Sequence, residues 1–474
     1  MENTTTLNTT LPPHRVHVVE QGASARRHWL SCEIGENLKF DMGGLQTYCL
    51  ADWDERVYDA IVVAAAVQFC DHTKRRPSAT WRRNFILSIP VHDPDHWNSG
   101  KVSNALHDAL RFLTCDQWQI AFESRKTSAA VPYPGNFDLP DDTAVIIPFS
   151  DGLDSHAMAG LMKLEHAHNV IRVRLGRQSW RGYENGSQSS HFTSVPYRIG
   201  YGKNCSVETS GRSRGFKFAV LSGVAAFLSG ARDVVMPESG QGALGPSLVP
   251  VGQAYEDYRN HPLFTDLITT FLSALFGHTV RFVYPRLWYT KAETLAEFVA
   301  KCPEDGRNWD QTRSCWQGQR QVSVSRKMRQ CGICAACMLR RMSVHAADLS
   351  ECKQSYVWED LTTTRYEDGA AASFENRKPN GAMYEYAIAG TLHLDHLAGV
   401  LRSPVSRAGL FRQVFLLSRS LGLPEEEIRA KLERLIRKHA DEWKKFIESL
   451  GPASFVAQWV ERRDEHVPRE RECC

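Results

Sequence analysis

The sequence has no surplus of charge of either sign and no long apolar run. Its 57 Lys and Arg residues nearly balance its 54 Asp and Glu residues over 474 positions, which argues against a protein that mainly coats nucleic acid. No apolar run approaches the roughly 20 residues that a membrane-spanning helix needs. The opening residues, "MENTTTLNTTLPPH", lack the basic and apolar regions of a signal peptide. We therefore expect a soluble, cytoplasmic protein with neither a membrane nor a nucleic-acid partner.

The sequence also lacks the composition of a small disulfide-rich secreted domain. Its 13 cysteines are spread over 474 residues without an export signal, so reduced thiols and a metal site are the better interpretation. The closing pair, Cys473 and Cys474, lies in a charged tail and is interpreted as incidental.

Four segments are predicted in chain order. They are a disordered tail at 1–13, an N-terminal α+β domain at 14–140, a central α/β domain at 141–350 and a mostly helical C-terminal region at 351–474.

In the N-terminal segment, three stretches have the apolar pattern of strands: "HRVHVVE", "RNFILSIPV" and "WQIAFES". Residues 52–69 predict a helix capped by Asp52, and residues 98–113 predict a second, amphipathic helix. The first helix places four apolar side chains on one face: Val57, Ile61, Ala64 and Val67. The Pro-rich stretch 128–142 predicts a linker.

In the central segment, short apolar runs alternate with helical stretches. The runs are "AVIIPFS", "VIRVRLG", "DVVMPES" and "VRFVYP", and helices are predicted at 215–230 and 261–277. This alternation predicts a doubly wound parallel sheet. The Gly- and Ser-rich residues 177–192 predict a mobile loop. Further on, residues 424–447 predict a helix with one buried face: Ile428, Leu432, Leu435, His439 and Phe446.

The first of these runs ends in an unusual turn, "VIIPFSDGLDS". At the carboxyl end of a parallel strand, backbone N–H groups and a helix N terminus form an anion site, to which Ser150 and Ser155 can add hydroxyl donors. Gly152 would let the backbone approach a phosphate closely. An ordinary turn with Asp154 or Ser155 as an N-cap explains the same residues.

A cysteine cluster follows in the same segment. It has C-x2-C-x2-C spacing with a fourth cysteine upstream, and its members are Cys315, Cys331, Cys334 and Cys337. Four thiolates can close a tetrahedral Zn²⁺ shell, which leaves no open position for chemistry. A ferredoxin-type iron–sulfur cluster is the weaker interpretation, because that motif runs C-x2-C-x2-C-x3-C-P and its fourth cysteine position, 341, is Arg here.

Together these motifs resemble the QueC family, the 7-cyano-7-deazaguanine synthases. The stretch "SDGLDS" resembles the S-G-G-x-D-S loop of the PP-loop ATP pyrophosphatases, whose fold is adenine nucleotide alpha hydrolase-like, and the Walker signature G-x-x-x-x-G-K-[ST] is absent. The segments "TKAET" and "CGICAACMLR" match the family's later motifs in order and spacing. The second position of this loop is normally Gly in the family and is Asp151 here, and a carboxylate there repels pyrophosphate unless it points away or meets Mg²⁺.

The resemblance implies site residues as well as a reaction. It implies an ATP-binding loop at Phe149, Ser150, Asp151, Gly152, Leu153, Asp154 and Ser155, with Asp154 and Ser155 also counted as catalytic. It implies that Lys291 and Arg214 contact the phosphates of ATP, and Lys291 is also counted as catalytic. For both residues, a surface salt bridge is an alternative explanation of nearly equal weight. Glu238 would read the guanine-like edge of 7-carboxy-7-deazaguanine. The family has an aspartate after proline in the segment around the deazaguanine, and Leu263 stands in that place here.

The expected activity is ATP-dependent C–N bond formation, with ATP, Mg²⁺ and Zn²⁺ as cofactors. Enlarged QueC-like proteins occur in antiphage systems, including Qat and type IV CBASS, which implies transfer of a deazaguanine acyl group to a partner protein, with its amino terminus as the favoured acceptor. The first alternative is 7-cyano-7-deazaguanine synthesis from ammonia. Further alternatives are a tRNA-modifying PP-loop enzyme and a non-catalytic scaffold, and the added segments could equally serve a homodimer.

Overall fold

The computed structural model describes most of the chain outside several connecting segments. The described residues are 12–40, 54–77, 80–127, 145–150, 152–167, 169–175, 197–202, 206–252, 254–374, 381–402 and 404–464. The predictions for most of the tail, for the linker at 128–142, for the loop at 177–192 and for Asp151 lie outside them.

The described residues form short strands and helices of very different lengths. The strands are β1 (His14–Val19), β2 (Leu30–Glu33), β3 (Leu38–Phe40), β4 (Asn84–Val91), β5 (Gln117–Ser124), β6 (Val145–Pro148), β7 (Val170–Val173), β8 (Tyr197–Ile199), β9 (Asp233–Val235), β10 (Arg281–Val283), β11 (Ser323–Val324) and β12 (Lys327–Met328). The first helices are α1 (Glu55–Thr73), α2 (Pro94–Asn98), α3 (Gly100–Thr114), α4 (Leu153–His166), α5 (Ser213–Ser229), α6 (Gly240–Leu248) and α7 (Pro262–Phe276). The later helices are α8 (Lys291–Lys301), α9 (Gln319–Val322), α10 (Ala335–Ala346), α11 (Gly381–Gly399), α12 (Pro404–Leu421), α13 (Glu425–Leu450) and α14 (Phe455–Asp464).

All seven apolar runs predicted as strands contain one, and the helices predicted from periodicity are present. Within the described part of the chain, no helix is both long enough and apolar enough to cross a membrane.

The chain divides into two compact units, each assembled from separate stretches. The first unit draws on 1–148, 171–234 and 264–282, and the second unit draws on 149–170, 235–263 and 283–474. These divisions do not coincide with the boundaries predicted near 141 and 351, and the predicted segments stay a prediction.

The first unit contains a four-stranded sheet in the order β2-β1-β4-β5. Every pairing in this sheet is parallel, with Val16 opposite Leu30 and Leu87 opposite Ile120. The prediction of an α+β domain is therefore wrong, because a parallel sheet with α2 and α3 crossing between β4 and β5 is an α/β arrangement.

Helix α1 differs from its prediction in two respects. It begins at Glu55, and its N-cap is Asp54, whose side chain accepts a hydrogen bond of 2.9 Å from the Arg56 N–H. The predicted cap, Asp52, is therefore wrong, because the capping carboxylate must directly precede the first helical turn. Burial also extends well beyond the predicted face, since α1 contacts both α5 and β4.

A second four-stranded sheet has the order β10-β9-β6-β7, and β6 pairs with β9 in parallel. Non-consecutive strands lie side by side in it, which requires crossover connections between them. The mixed α/β architecture with parallel sheets fits a PP-loop-like fold.

The second unit buries a hydrophobic cluster around the start of α10. The cluster joins the four cysteines to side chains of α11, α13 and α14, among them Trp443 and Phe446. The face predicted for α13 is buried at all five positions, with its acidic first turn at Glu425, Glu426 and Glu427. Helices α11, α13 and α14 thus share one core with the cysteine cluster.

Candidate functional site

The candidate site begins where β6 ends and α4 starts. Ser155 is almost fully buried, and its hydroxyl lies 2.8 Å from the Ser150 carbonyl and 2.9 Å from the Gly152 carbonyl. The Ser150 N–H donates to Ser155 Oγ at 3.2 Å, and the Gly152 N–H donates to Ser150 Oγ at 3.1 Å. Ser155 therefore holds the loop in shape from inside.

Two apolar residues of this loop are packed inside the second unit. Leu153 is buried against α8, and the ring of Phe149 lies 4.7 Å from that of His156. His156 lies 3.0 Å from the Gly152 carbonyl through Nδ1. Both ends of the loop are therefore anchored, and the N terminus of α4 is held at a fixed position.

Asp154, in the first turn of α4, forms an ion pair with Lys291, the first residue of α8. Both side chains are largely buried, at 13% and 6% exposure. The hydroxyl of Ser239 lies 3.4 Å from the second carboxylate oxygen of Asp154 and 3.1 Å from Thr294. The structure thus brings the predicted Asp154 and Lys291 together, and it adds Ser239 from the N-cap of α6.

Lys291 is presented by a fully formed capping box. The Thr290 hydroxyl accepts from the Glu293 N–H at 3.2 Å, and the Glu293 carboxylate accepts from the Thr290 N–H at 2.8 Å. This reciprocal arrangement satisfies two donors that a helix start leaves open. Because two helix N termini meet at the Asp154–Lys291 pair, their dipoles favour an anion there.

The four cysteines converge within the second unit. Their sulfur atoms all lie within 4.8 Å of one another, and all four residues are buried. Sγ of Cys331 lies 3.7 Å from Sγ of Cys337. A tetrahedral Zn²⁺ site with bonds of about 2.3 Å places its sulfurs about 3.8 Å apart.

Backbone donors surround these sulfurs. Cys315 Sγ accepts from the N–H groups of Gln317 and Cys331, at 3.4 and 3.2 Å. Cys334 caps α10 and accepts from the Cys337 N–H at 3.4 Å, so the positive end of the helix faces the cluster. The Gly332 turn has φ +87°, and a Cβ there would meet the Trp358 carbonyl at 2.9 Å.

The charges that four thiolates would carry in the cysteine cluster favour a bound cation. Hydrogen bonds from the other three cysteines hold the pKa of Cys315 far below its usual range. Burial raises the pKa of Cys331 and of Cys337 well above theirs. Four thiolates in this buried space would repel one another strongly, and a divalent ion removes that cost. The donor set therefore fits zinc.

The remaining predicted residues are placed separately. Arg214 is exposed near the start of α5 in the first unit, with its guanidinium 5.6 Å from the centre of the Phe218 ring. Glu238 precedes α6 in the second unit, and a Cβ on Gly242 would lie 2.5 Å from its Oε2. Its carboxylate, after that of Asp257, helps to raise the pKa of Arg259. The roles predicted for Arg214 and Glu238 stay predictions.

These features define a mixed α/β protein with a strand–loop–helix turn beside a buried Asp154–Lys291 pair and with a buried four-cysteine cluster. Residues 244–348 match the family model described as Queuosine biosynthesis protein QueC, so this stretch of the chain is similar to that family. The matched stretch holds Lys291 and all four cysteines, and it excludes the loop at 149–155 and Glu238. No curated protein and no solved structure shows significant similarity to the chain.

Several polar residues of the site escaped the sequence analysis. Ser239, Gln241, Thr290 and Glu442 all contact the Asp154–Lys291 region. Only the Thr290 capping box had a readable signal, the T-x-x-E spacing before an apolar stretch. The others come from segments that adjoin only in the folded chain.

Proposed function

We propose that this protein uses ATP to adenylate the carboxylate of a 7-carboxy-7-deazaguanine-type substrate and then joins the acyl group to an amine. The observation that carries the proposal is the buried Asp154–Lys291 pair at the strand–loop–helix turn. The pair lies in a chain whose residues 244–348 match the QueC family.

In the proposed first step, a carboxylate oxygen of the substrate attacks the α-phosphorus of ATP, and the bond to the β-phosphate oxygen breaks. Pyrophosphate leaves, and an acyl adenylate forms. Lys291 and the N terminus of α4 would stabilise the negative charge on the phosphates. Ser155 would keep the loop in place through its bonds to Ser150 and Gly152.

The first experiment identifies the products of ATP. Wild-type protein, ATP and 7-carboxy-7-deazaguanine should yield AMP and pyrophosphate, and Lys291→Met should lose at least about a hundredfold in rate because one charged phosphate contact disappears. Lys301→Met, at the exposed end of the same helix, is the matched control and should retain full rate. ADP and phosphate as products would overturn the assignment, and pyrophosphate release that requires tRNA would favour a tRNA-modifying enzyme.

For the second step, the proposed acceptor is the amino terminus of a partner protein. Its nitrogen attacks the acyl carbon, AMP leaves, and the nitrogen loses a proton. An amino terminus has a pKa of about 8 against about 10.4 for lysine, so more of it is nucleophilic near neutrality. The antiphage setting is part of this proposal and rests on the resemblance.

The altered substrate segment supports an acceptor other than ammonia. In "YRNHPLF", His261 is fully buried, and its Nε2 lies 3.0 Å from Gln413 Oε1 on α12. The Leu263 N–H donates to His261 Nδ1 at 3.1 Å, and Gln413 donates to the Ser247 carbonyl at 3.1 Å. The segment is thus tied to a C-terminal helix beyond the stretch that matches QueC.

Mass spectrometry separates the two acceptors. Incubation with ATP, the carboxylate and the protein encoded beside this gene should add one deazaguanine acyl group to that protein's amino terminus. An unchanged partner together with free nitrile formed from ammonia would instead establish 7-cyano-7-deazaguanine synthesis. If this protein consumes no ATP with either the partner protein or ammonia, the scaffold alternative is favoured.

A further inference from the structure

Helix α13 contributes buried polar side chains beside the residues that present Lys291. Glu442 is 5% exposed and His439 is fully buried, although both lie on the otherwise apolar face of this helix. Buried polar groups are costly unless they are hydrogen-bonded, so their partners are informative.

Glu442 contacts the residue immediately before Lys291. The Thr290 hydroxyl donates to Glu442 Oε1 at 2.7 Å while it accepts from the Glu293 N–H. A hydroxyl has one donor, so the contact with Glu442 fixes the rotation of this group and aims its lone pairs at the helix N terminus.

Gln241 connects the same helix to the backbone of Lys291. Its Oε1 accepts from the Lys291 N–H at 2.7 Å, and its Nε2 lies 2.9 Å from His439 Nδ1 and 3.4 Å from Glu442 Oε2. His439 Nε2 lies 2.9 Å from the Leu394 carbonyl, which can only accept. The proton is therefore on Nε2, and Nδ1 accepts from Gln241.

We infer that Glu442 and Gln241 are positioning residues for Lys291. The C-terminal helix α13 thereby contributes to the proposed nucleotide site. Gln241 holds the backbone of Lys291 and Glu442 holds its cap, Thr290. The two contacts reach consecutive residues, and together they set where the Lys291 ammonium meets Asp154.

The charges around Glu442 agree with this role. Burial raises the pKa of Glu442 to about 7, with Glu293 also raising it and Lys438, Thr290 and Gln241 opposing the rise. Burial lowers the pKa of His439 to about 4, so His439 is neutral near pH 7 and keeps its acceptor nitrogen.

Lysine labelling tests this inference without any assumption about the reaction. Lys291 is buried and should react slowly with formaldehyde and cyanoborohydride, as measured peptide by peptide. Glu442→Leu and Gln241→Leu should each speed Lys291 labelling severalfold, whereas Lys301 on the same helix should label equally in all variants. Glu448→Leu, at an exposed position of α13, is the matched control and should behave as wild type.

The inference rests on the proposed function for its catalytic consequence. If pyrophosphate is released, kcat/KM for ATP should fall about 10- to 100-fold in both variants, as expected for a misplaced charged group. Glu442→Gln, which still accepts from Thr290, should recover most of that loss. Wild-type-like Lys291 labelling in folded Glu442→Leu and Gln241→Leu would overturn the inference. If Lys291 labelling changes in these variants but the wild-type protein releases no pyrophosphate, the positioning role is supported and the proposed function is contradicted.

Discussion

At the scale of single residues, the candidate site is organised by side chains that do not face solvent. Ser155 and Lys291 are both nearly buried, and each is held by several neighbours. Such groups lose little entropy when a ligand binds, so they suit a reaction that depends on alignment.

The loop serine gives the first prediction. Ser155→Ala removes a hydroxyl that bonds the Ser150 and Gly152 carbonyls, so we expect pyrophosphate release to become undetectable. The free energy of unfolding should fall by only about 1 kcal/mol, the usual net value of such a bond. Denaturant unfolding and a pyrophosphate assay measure both quantities. A rate within threefold of wild type would show that the hydroxyl does not order the loop.

The buried glutamate gives the second prediction. The folded protein raises the pKa of Glu442 from 4.5 to about 7, so it binds this proton more tightly than the unfolded chain does. This contribution to the free energy of unfolding is about 3 kcal/mol. It is fully present below about pH 4.5 and is lost as pH rises through 7.

Glu442→Gln cannot titrate, so its free energy of unfolding should decline less than that of wild type between pH 5 and 8. Urea unfolding at several pH values measures the difference. Glu448→Gln, at an exposed position, should keep the wild-type slope. Parallel slopes for Glu442→Gln and wild type would contradict the assignment.

At the scale of elements, close backbone approaches join helices from distant parts of the sequence. A Cβ on Gly390 of α11 would lie 2.6 Å from the Ala335 nitrogen at the start of α10. Because the obstacle is backbone beside the cysteine cluster, it cannot move aside as a flexible side chain would.

Gly390→Ala should therefore destabilise the protein by about 1–3 kcal/mol, the range for overpacking. Gly409→Ala on α12 is the matched control, since nothing lies within 4 Å of its Cβ position. That control should be neutral or stabilising by up to about 1 kcal/mol, because Ala is the better helix former. Thermal unfolding of both variants decides the matter, and equal midpoints would disprove the close approach.

At the scale of the whole molecule, the cysteine cluster and helices α11, α13 and α14 depend on each other for stability. They share one buried cluster that includes Trp443 and Phe455. Loss of the metal should therefore loosen helices that lie more than 100 residues further along the chain.

We expect one zinc ion per chain by elemental analysis, and no iron–sulfur absorption band. Cys334→Ser should reduce the zinc content below one half and lower the thermal midpoint by about 10 °C or more, since site assembly contributes folding energy. Cys352→Ser, at an exposed cysteine outside the cluster, should leave both values unchanged. A full zinc content in Cys334→Ser would exclude this residue as a ligand.

The sequence by itself determined the parts whose signal is local. The apolar runs at β4 and β6, the periodic face of α13 and the C-x2-C-x2-C spacing each depend on residues within about one turn or one strand of each other. Only the tertiary structure decided the parallel pairing of the N-terminal sheet. It alone joined Glu442 and Gln241 to Lys291, across about 150 and 50 residues. Such contacts arise when separate helices bury their polar groups against one another, and no periodicity within either segment records which partner satisfies which group.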